Sequence, residues 1–322
     1  MLTQSCYNDL SHGMTAIDTG YCRPGMAASH LLVDGGRAAF VDTGTSHSLP
    51  RLLGALERVG LSRSEVDYVF VTHVHLDHAG GAGALMQALP DATAIVHPRG
   101  ARHLVDPSKL ISGTRAVYGD RRYEELYGTL TPIPRARIHT VEDRDRLWLG
   151  NRELELIHTE GHARHHYCIA DALSRGIFTG DSFGVSYREL DTDRGAFIFP
   201  TTTPVHFDPA AAHAAIKRIV GYKPRACYLT HYSEVTGIPR LARDMHECLD
   251  GFVAMAERLA AAADRTSRLQ SAMFQFLSAR LDAHGFEGDA DRRHALLDTD
   301  IALNVQGLEF WLDKQVAVRK QA

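Results

Sequence analysis

Three histidines and an aspartate fall within six residues, directly after a run with the composition of a buried strand. Residues 73–78 read HVHLDH, and residues 68–71 before them read YVFV. In extended backbone, side chains two positions apart point to the same side, so His73 and His75 would face one point. The side chains of the adjacent residues Asp77 and His78 point in different directions, so they can bind at a second point. Imidazole and carboxylate groups suit zinc, iron and manganese, so the segment predicts a metal site at a strand end.

The same context recurs at three later positions in the chain. His162 follows a β-prone run that ends at His158, Asp181 ends a second such run, and His231 ends a third. A sheet is a rigid support, and one of its edges can collect side chains from several strand ends. The candidate metal ligands are therefore His73, His75, Asp77, His78, His162, Asp181 and His231.

Turn and cap signals between these runs indicate how the strands are arranged. The sequences Asp-Gly-Gly at 34–36 and Gly-Asn at 150–151 each separate two short β-prone runs, which is typical of hairpins. Ser48, Pro50 and Gly60 delimit a helix. Hairpin-joined strands with interspersed helices favour sheets that pack together under helices over a single doubly wound parallel sheet.

The character of the chain changes near residue 239. Residues 240–282 and 290–318 have helical composition and no strand signal. An apolar stripe recurs there at helical spacing, and such a stripe must be buried against something. Three alternatives stay open: the chain's own core, a cap over the metal site, and a homodimer contact. The stripe begins with Val253, Met255, Ala256, Leu259 and Ala260.

Charge and cysteine usage exclude several classes of protein. The net charge is −4 and the basic residues are scattered, so we expect no nucleic-acid partner. Five cysteines without a CxxC spacing argue against a disulfide framework and favour a reducing compartment. Residues 1–20 lack the pattern of a secretory signal, and no apolar stretch is long enough to span a bilayer. We therefore expect a cytoplasmic protein that acts on a small molecule and does not bind a membrane.

The order and spacing of these motifs resemble those of the metallo-β-lactamase superfamily over residues 30–231. The resemblance implies an α/β fold, the αβ/βα four-layer metallo-β-lactamase sandwich, with the site along one edge. Together with the change of character near residue 239, it predicts a catalytic domain at 1–239 and a C-terminal α-helical extension at 240–322. It also implies that Asp42, in an Asp-Thr-Gly turn, supports the site without binding metal.

The resemblance also assigns the ligands to two divalent ions, with zinc favoured and iron or manganese as alternatives. It implies that the first ion is bound by His73, His75 and His162. The second would be bound by Asp77, His78 and His231, with Asp181 bridging both ions. The third motif departs from the common pattern, because Glu160 and His165 replace a proline and a glycine. His165 is a candidate substrate contact or a hydrogen-bonded wall residue.

Two neighbouring cations lower the pKa of a shared water, and the resulting bridging hydroxide would attack an electrophilic carbonyl. Asp77 or Asp181 would orient this nucleophile and carry a proton. Tyr187 is predicted to hydrogen-bond to substrate, as a tyrosine after this motif does in the superfamily's acyl-homoserine lactonases. These features predict a metal-dependent hydrolase acting on a small ester, lactone or thioester, and acyl-homoserine lactonase-like activity is one such case.

Two other classes stay open. The single-iron sulfur dioxygenases of the superfamily have a similar first motif, so an iron-dependent oxidoreductase is one alternative. The helical extension resembles that of a quinolone-signal response protein, so a signalling or binding module with residual hydrolase activity is the other. β-Lactam hydrolysis is disfavoured, because the secreted lactamases normally lack an aspartate at position 77.

Overall fold

The computed structural model describes residues 6–202 and 205–319. The outer ends of both predicted domains, residues 1–5 and 320–322, lie outside the described residues. The chain forms two compact units, and each is built from several segments. The first unit comprises Met1–His158, His165–Gly180 and Pro224–Glu234, and the second comprises Thr159–Arg164, Asp181–Lys223 and Val235–Ala322. The domain boundary after residue 239 stays a prediction.

The first unit contains a seven-stranded sheet whose strands follow one another in chain order. Its strands are β1 (Tyr7–Leu10), β2 (Met14–Asp18), β3 (Ala28–Asp34), β4 (Arg37–Val41), β5 (Val66–Val71), β6 (Thr93–Val96) and β7 (Ile138–Thr140). Strands β1 to β4 pair antiparallel, and β4 to β7 pair parallel. The predicted hairpin is confirmed between β3 and β4, where Gly35 and Gly36 both adopt positive φ.

A six-stranded sheet follows in the chain. Its strands are β8 (Arg146–Leu149), β9 (Arg152–His158), β10 (Tyr167–Asp171), β11 (Gly176–Gly180), β12 (Cys227–Leu229) and β13 (Ser233–Val235). Their spatial order is β13-β12-β11-β10-β9-β8, with β11 and β12 parallel. The second predicted hairpin is confirmed at the turn between β8 and β9.

Two apolar layers hold the first unit together. Between the sheets, Leu32 and Phe70 of the first pack with Leu156 and Phe178 of the second. On the other face of the first sheet, a separate core buries the apolar sides of α1 (Leu49–Arg58), α3 (Ala82–Ala88) and α4 (Pro98–Val105). Full burial of each large apolar side chain stabilises the fold by about 1.5–3 kcal/mol. The predicted α/β sandwich is therefore confirmed, and its core consists of apolar side chains.

The first unit also contains the helices α2 (Leu76–Ala79), α5 (Ser108–Tyr118) and α6 (Asp120–Tyr127). Helix α2 directly follows the strand β5 and carries part of the HVHLDH segment. Helices α5 and α6 lie between β6 and β7 in the chain.

The second unit contains α7 (Pro209–Gly221), α8 (Ile238–Leu259), α9 (Arg265–His284) and α10 (Ala290–Arg319). The predicted helical character of the C-terminal region is confirmed. Met255 and Ala256 of the predicted stripe are buried on α8, whereas Val253 and Leu259 are partly buried and Ala260 is exposed. On α9, Leu269, Met273 and Leu277 are buried at helical spacing. Helix α8 packs with α7, α9 and α10, so this unit has an apolar core of its own. The homodimer contact stays a prediction. No helix in the described part of the chain is long and apolar enough to cross a membrane.

Candidate metal centre

The chain bends at Thr72 and His73 after β5 and turns into α2 at His75, which is the N-cap residue of that helix and has extended backbone. Asp77 and His78 lie in the single turn of α2. The chain then passes close to the turn that follows β4. A Cβ atom at Gly81 would lie 2.6 Å from the carbonyl oxygen of Thr45. Glycine is therefore required where α2 approaches that turn.

Asp77, His78 and His231 form a compact group within the first unit. One donor atom from each lies within 4.8 Å of the others. The Nε2 atom of His231 is 3.3 Å from Oδ2 of Asp77, and the Nε2 atom of His78 is 3.7 Å from the same oxygen. Both imidazoles are buried, and the Asp77 side chain is 20% exposed. Three groups that suit a transition metal therefore converge on one point that solvent reaches.

The far nitrogen of each imidazole has an acceptor. Nδ1 of His78 lies 2.8 Å from Oδ2 of Asp42, and Nδ1 of His231 lies 2.7 Å from the carbonyl oxygen of Met26. Because those oxygens accept, each Nδ1 donates its proton and each Nε2 turns a lone pair toward Asp77. Two lone pairs and a carboxylate that face one another are stable when a cation lies between them. The donor set therefore fits a divalent metal ion.

Asp42 is fully buried and lies at the centre of the hydrogen bonds that support this group. Besides His78, it accepts hydrogen bonds from the backbone N–H and hydroxyl of Thr72 and from the hydroxyl of Thr230. Its φ of 56° is in the left-handed region, which is uncommon for a residue other than glycine. One carboxylate thus links the strand ends that carry His73 and His231 and fixes the ring of His78.

His73 and His75 face the same point, as their spacing predicts. Nε2 of His73 is 3.0 Å from Nδ1 of His75, and Nδ1 of His73 is 3.2 Å from the Thr72 hydroxyl. The ring of His166 stacks on that of His73 at 4.9 Å, and the ring of His165 meets that of His75 edge-on at 5.9 Å. His165 is therefore a buried neighbour of these two imidazoles, and its contact with substrate stays a prediction.

His162 and Asp181 belong to the second unit and meet each other there. Nε2 of His162 lies 3.4 Å from Oδ2 of Asp181, and both side chains are buried. Gly161 precedes this histidine, and a Cβ atom at that position would lie 2.5 Å from the backbone of Ala212 on α7. The glycine therefore lets the His162 loop approach α7 closely.

A small cavity adjoins His162 and Asp181 within the second unit. Ala215 and Ile216 of α7 and Met245 of α8 contribute to its apolar lining. Helix α8 of the predicted C-terminal extension thus supplies Met245 beside two of the candidate ligands, and a cap over the metal site stays a prediction.

The Tyr187 hydroxyl lies 3.0 Å from the carboxylate of Asp300 on α10, to which it donates, and the side chain is buried. This contact gives the hydroxyl a structural partner in the second unit. The predicted hydrogen bond from Tyr187 to substrate stays a prediction.

Sequence reasoning missed several supporting groups. Thr72 and Thr230 each precede a candidate ligand histidine, and that repeated Thr-His pair was a signal that was available. The carbonyl oxygen of Met26 could not be recognised from the sequence, because every residue has a backbone carbonyl oxygen. Asp300 was also missed, since a lone aspartate on a long helix is ordinarily part of a solvated face.

Comparison with known proteins places this geometry in a family. The family model described as "Metallo-beta-lactamase superfamily" matches residues 22–231. A metallo-beta-lactamase fold-containing protein of Sulfurisphaera tokodaii, ST1585, is 28% identical over 212 residues, covering 65% of this chain and 73% of that protein. An acyl-coenzyme A thioesterase of Gallus gallus, MBLAC2, is 26% identical over 182 residues, covering 54% of this chain and 64% of its own length.

Two solved structures share the fold across nearly the whole chain. The crystal structure of ST1585 superposes with a TM-score of 0.65 at 23% identity and covers 93% of this chain and 99% of its own. The metallo-beta-lactamase family protein TTHA1429 of Thermus thermophilus gives a TM-score of 0.63 at 18% identity, covering 95% and 94%. Because the family model matches well over half of the sequence, this chain belongs to the metallo-β-lactamase superfamily.

Proposed function

We propose that this protein is a metal-dependent hydrolase that cleaves a small ester, lactone or thioester. The observation that carries the proposal is the convergence of Asp77, His78 and His231, with the Nδ1 atoms of both imidazoles held by acceptors. Such preorganised donors are what a catalytic metal site requires.

The proposed site holds two divalent ions, with zinc favoured. We assign the first to His73, His75 and His162 and the second to Asp77, His78 and His231, with Asp181 shared. When bound, the ions would supply Lewis-acid activation of water and of the substrate oxygen. The short distances within the His73–His75 and His162–Asp181 pairs support this assignment.

The protein's own residues have separate tasks in this proposal. Asp77 is the partly exposed carboxylate of its group, so it can accept a proton from water and return it to the leaving group. Asp42 keeps the His78 ring in the tautomer whose Nε2 faces the site. Asp181 is buried beside His162, which suits a group that orients the nucleophile.

The bond class is proposed on chemical grounds. The relative named as an acyl-coenzyme A thioesterase matches about half of this chain, and thioesters, esters and lactones share an activated carbonyl. All three react with an activated water through the same kind of addition and loss of a leaving group.

The test is a substrate panel on protein loaded separately with zinc, iron or manganese. The panel contains p-nitrophenyl acetate, a short-chain lactone and acetyl-coenzyme A. We expect hydrolysis of at least one substrate, loss of that activity in His231→Ala, and unchanged activity in His139→Ala, which alters an exposed histidine on β7. Failure of every metal form on the panel, with oxygen-dependent oxidation of a thiol in the iron form, would overturn the hydrolase in favour of an oxidoreductase.

A further inference from the structure

The small cavity of the second unit has two chemically different sides. One side is polar and contains the candidate ligands His162 and Asp181. The other side is apolar and is formed by two helices. The side chains that they contribute include Ala215 and Ile216 of α7 and Met245 and Leu249 of α8. A molecule whose polar group lies at the two ligands would therefore place an adjoining apolar group against α7 and α8.

Hydrogen bonds fix the polar side relative to α7. The backbone N–H of Asp208 donates to the carbonyl oxygen of Gly161 at 2.9 Å, and Gly161 directly precedes His162. The Asp208 carboxylate accepts the backbone N–H of Ala211 at 3.0 Å, which caps the start of α7. The His162 loop and α7 are thus tied to the same residue, so the spacing between the polar and apolar sides is set by the backbone.

The apolar side is closely packed. The side chains of Ile216, Met245 and Leu249 are all buried. A Cβ atom at Gly184 would lie 2.6 Å from the Sδ atom of Met245, so the backbone of that loop lies directly against the thioether. Met245 therefore cannot withdraw in that direction to make room for a larger group.

The size of the cavity limits what it can accept. Its volume is about 10 Å³, which is room for roughly one water-sized group. An ordered water needs two to four polar partners, whereas the side chains of α7 and α8 at the cavity offer only carbon and sulfur atoms. A methyl group is the apolar group closest to this size, so it suits the apolar side better than a water molecule does.

We propose that this cavity binds the methyl group of an acetyl ester or thioester, and that Met245 excludes longer acyl chains. This inference rests on the proposed hydrolase function and specifies the substrate class of the same site. The carbonyl carbon is one bond away from the methyl group, so a methyl group in the cavity leaves the carbonyl beside His162 and Asp181. Lactones fit less well, because the carbon next to their carbonyl carries a further ring carbon.

The test compares p-nitrophenyl acetate with p-nitrophenyl butyrate on the metal-loaded protein. We expect wild type to prefer the acetate ester. Met245→Ala enlarges the cavity and should raise kcat/KM for butyrate relative to acetate about 10-fold or more, as for methylene groups in an apolar pocket. Ala215→Val fills the cavity and should lower kcat/KM for the acetate ester about 10-fold or more.

Met273→Ala is the matched control for Met245→Ala. Met273 is a buried methionine of the second unit, on α9, and it does not line the cavity. Its truncation removes the same atoms from the protein interior and should leave the preference between the two esters as in wild type. Ile216→Ala enlarges the same cavity from α7 and replaces Met245→Ala if that variant does not fold.

A second readout does not depend on turnover. Calorimetric titration with acetate and with butyrate measures the binding of two product-like carboxylates. Wild type and Met273→Ala should bind acetate more tightly than butyrate, and Met245→Ala should shift the ratio of the two Kd values about 10-fold toward butyrate.

The two proposals fail in different ways. An active hydrolase that prefers the butyrate ester, or whose preference is the same in wild type, Met245→Ala and Ala215→Val, overturns the role of the cavity. Carboxylate binding that follows the size of the cavity, in a protein that hydrolyses nothing on the panel, supports the cavity and overturns the hydrolase.

Discussion

Nδ1 of His231 lies 2.7 Å from the carbonyl oxygen of Met26, a residue 205 positions earlier in the chain. A carbonyl only accepts, so this contact decides that Nδ1 carries the proton and that Nε2 faces Asp77. The contact uses backbone rather than a side chain, and it therefore tolerates substitution at position 26. The orientation of the His231 ring therefore depends on where the β2–β3 loop places the backbone of Met26.

Metal stoichiometry tests the proposed site most directly. We expect elemental analysis to find close to two transition-metal ions per chain, and His75→Ala to lose turnover with little loss of fold. The reason is that the two apolar cores of the first unit do not involve this imidazole. Circular dichroism and elemental analysis on the same sample check both parts. One ion per chain with full activity would rule out a two-metal mechanism.

Asp42→Asn should weaken metal binding without removing a ligand. The amide keeps the volume of the carboxylate but accepts hydrogen bonds less well from His78, Thr72 and Thr230. Loss of such a supporting group typically lowers metal affinity about 10- to 100-fold. Competition with a chromophoric chelator measures the change, and Asp67→Asn, at a partly exposed ion pair with Arg37, is the control. Equal affinities would show that Asp42 does not orient the ligand.

His97 should make the fold less stable in acid. Burial, followed by the charges of His158 and Arg99, lowers the pKa of His97 to about 4 from 6.5. Its Nδ1 accepts the backbone N–H of Arg99 at the start of α4, and a protonated ring could not accept that bond. The unfolded chain therefore binds the proton first, so this stability is present above pH 6.5 and is lost as the pH falls toward 4.

His97→Asn keeps a residue that caps helices and removes the titration. The free energy of unfolding of the metal-free variant should depend less steeply on pH between 6.5 and 4, by up to about one proton. Urea unfolding at several pH values measures this slope. His139→Asn, at an exposed position, should keep the wild-type slope, and an unchanged slope in His97→Asn would contradict the assignment.

Thiol reagents should distinguish two of the cysteines. Burial raises the pKa of Cys248 to about 12, and this residue has no exposed surface on α8. Cys22 is exposed on the β2–β3 loop. Because the thiolate is the reactive form, iodoacetamide should label Cys22 well before Cys248 at neutral pH. Peptide mass spectrometry reads the order, and equal labelling in the folded protein would show that α8 opens readily.

Asn304→Ala should destabilise the second unit. The buried Asn304 side chain accepts from the backbone N–H of Thr202 at 2.6 Å and donates to the carbonyl oxygen of Pro200 at 3.1 Å. Truncation leaves both backbone groups buried without this partner, at about 1–3 kcal/mol for each group. Thermal unfolding measures the loss. Gln306→Ala, at an exposed position two residues on, should cost far less, and similar losses would refute the role of the contact.

The local structure near the metal centre could be read from the sequence because it depends on neighbours in the chain. The spacing of His73 and His75 places both imidazoles on one side, and Nε2 of one lies 3.0 Å from Nδ1 of the other. The turn at 34–36 predicted the β3–β4 hairpin for the same reason, since the tolerance of glycine for positive φ is a property of the residue itself. The superfamily and its sandwich fold followed from motifs of this local kind.

Contacts between distant segments were decided only by the tertiary structure. The Tyr21–Tyr127 bond joins residues 106 positions apart, and the Tyr187–Asp300 bond joins residues 113 apart. A tyrosine looks the same in the sequence whether its hydroxyl bonds to another phenol, to a carboxylate or to a substrate. Hydrogen bonding is directional and extends about 3 Å, so the partner depends on which segments the fold brings together. The sequence by itself determined the ligand types and their strand ends, and only the folded chain decided how each ring and hydroxyl is held.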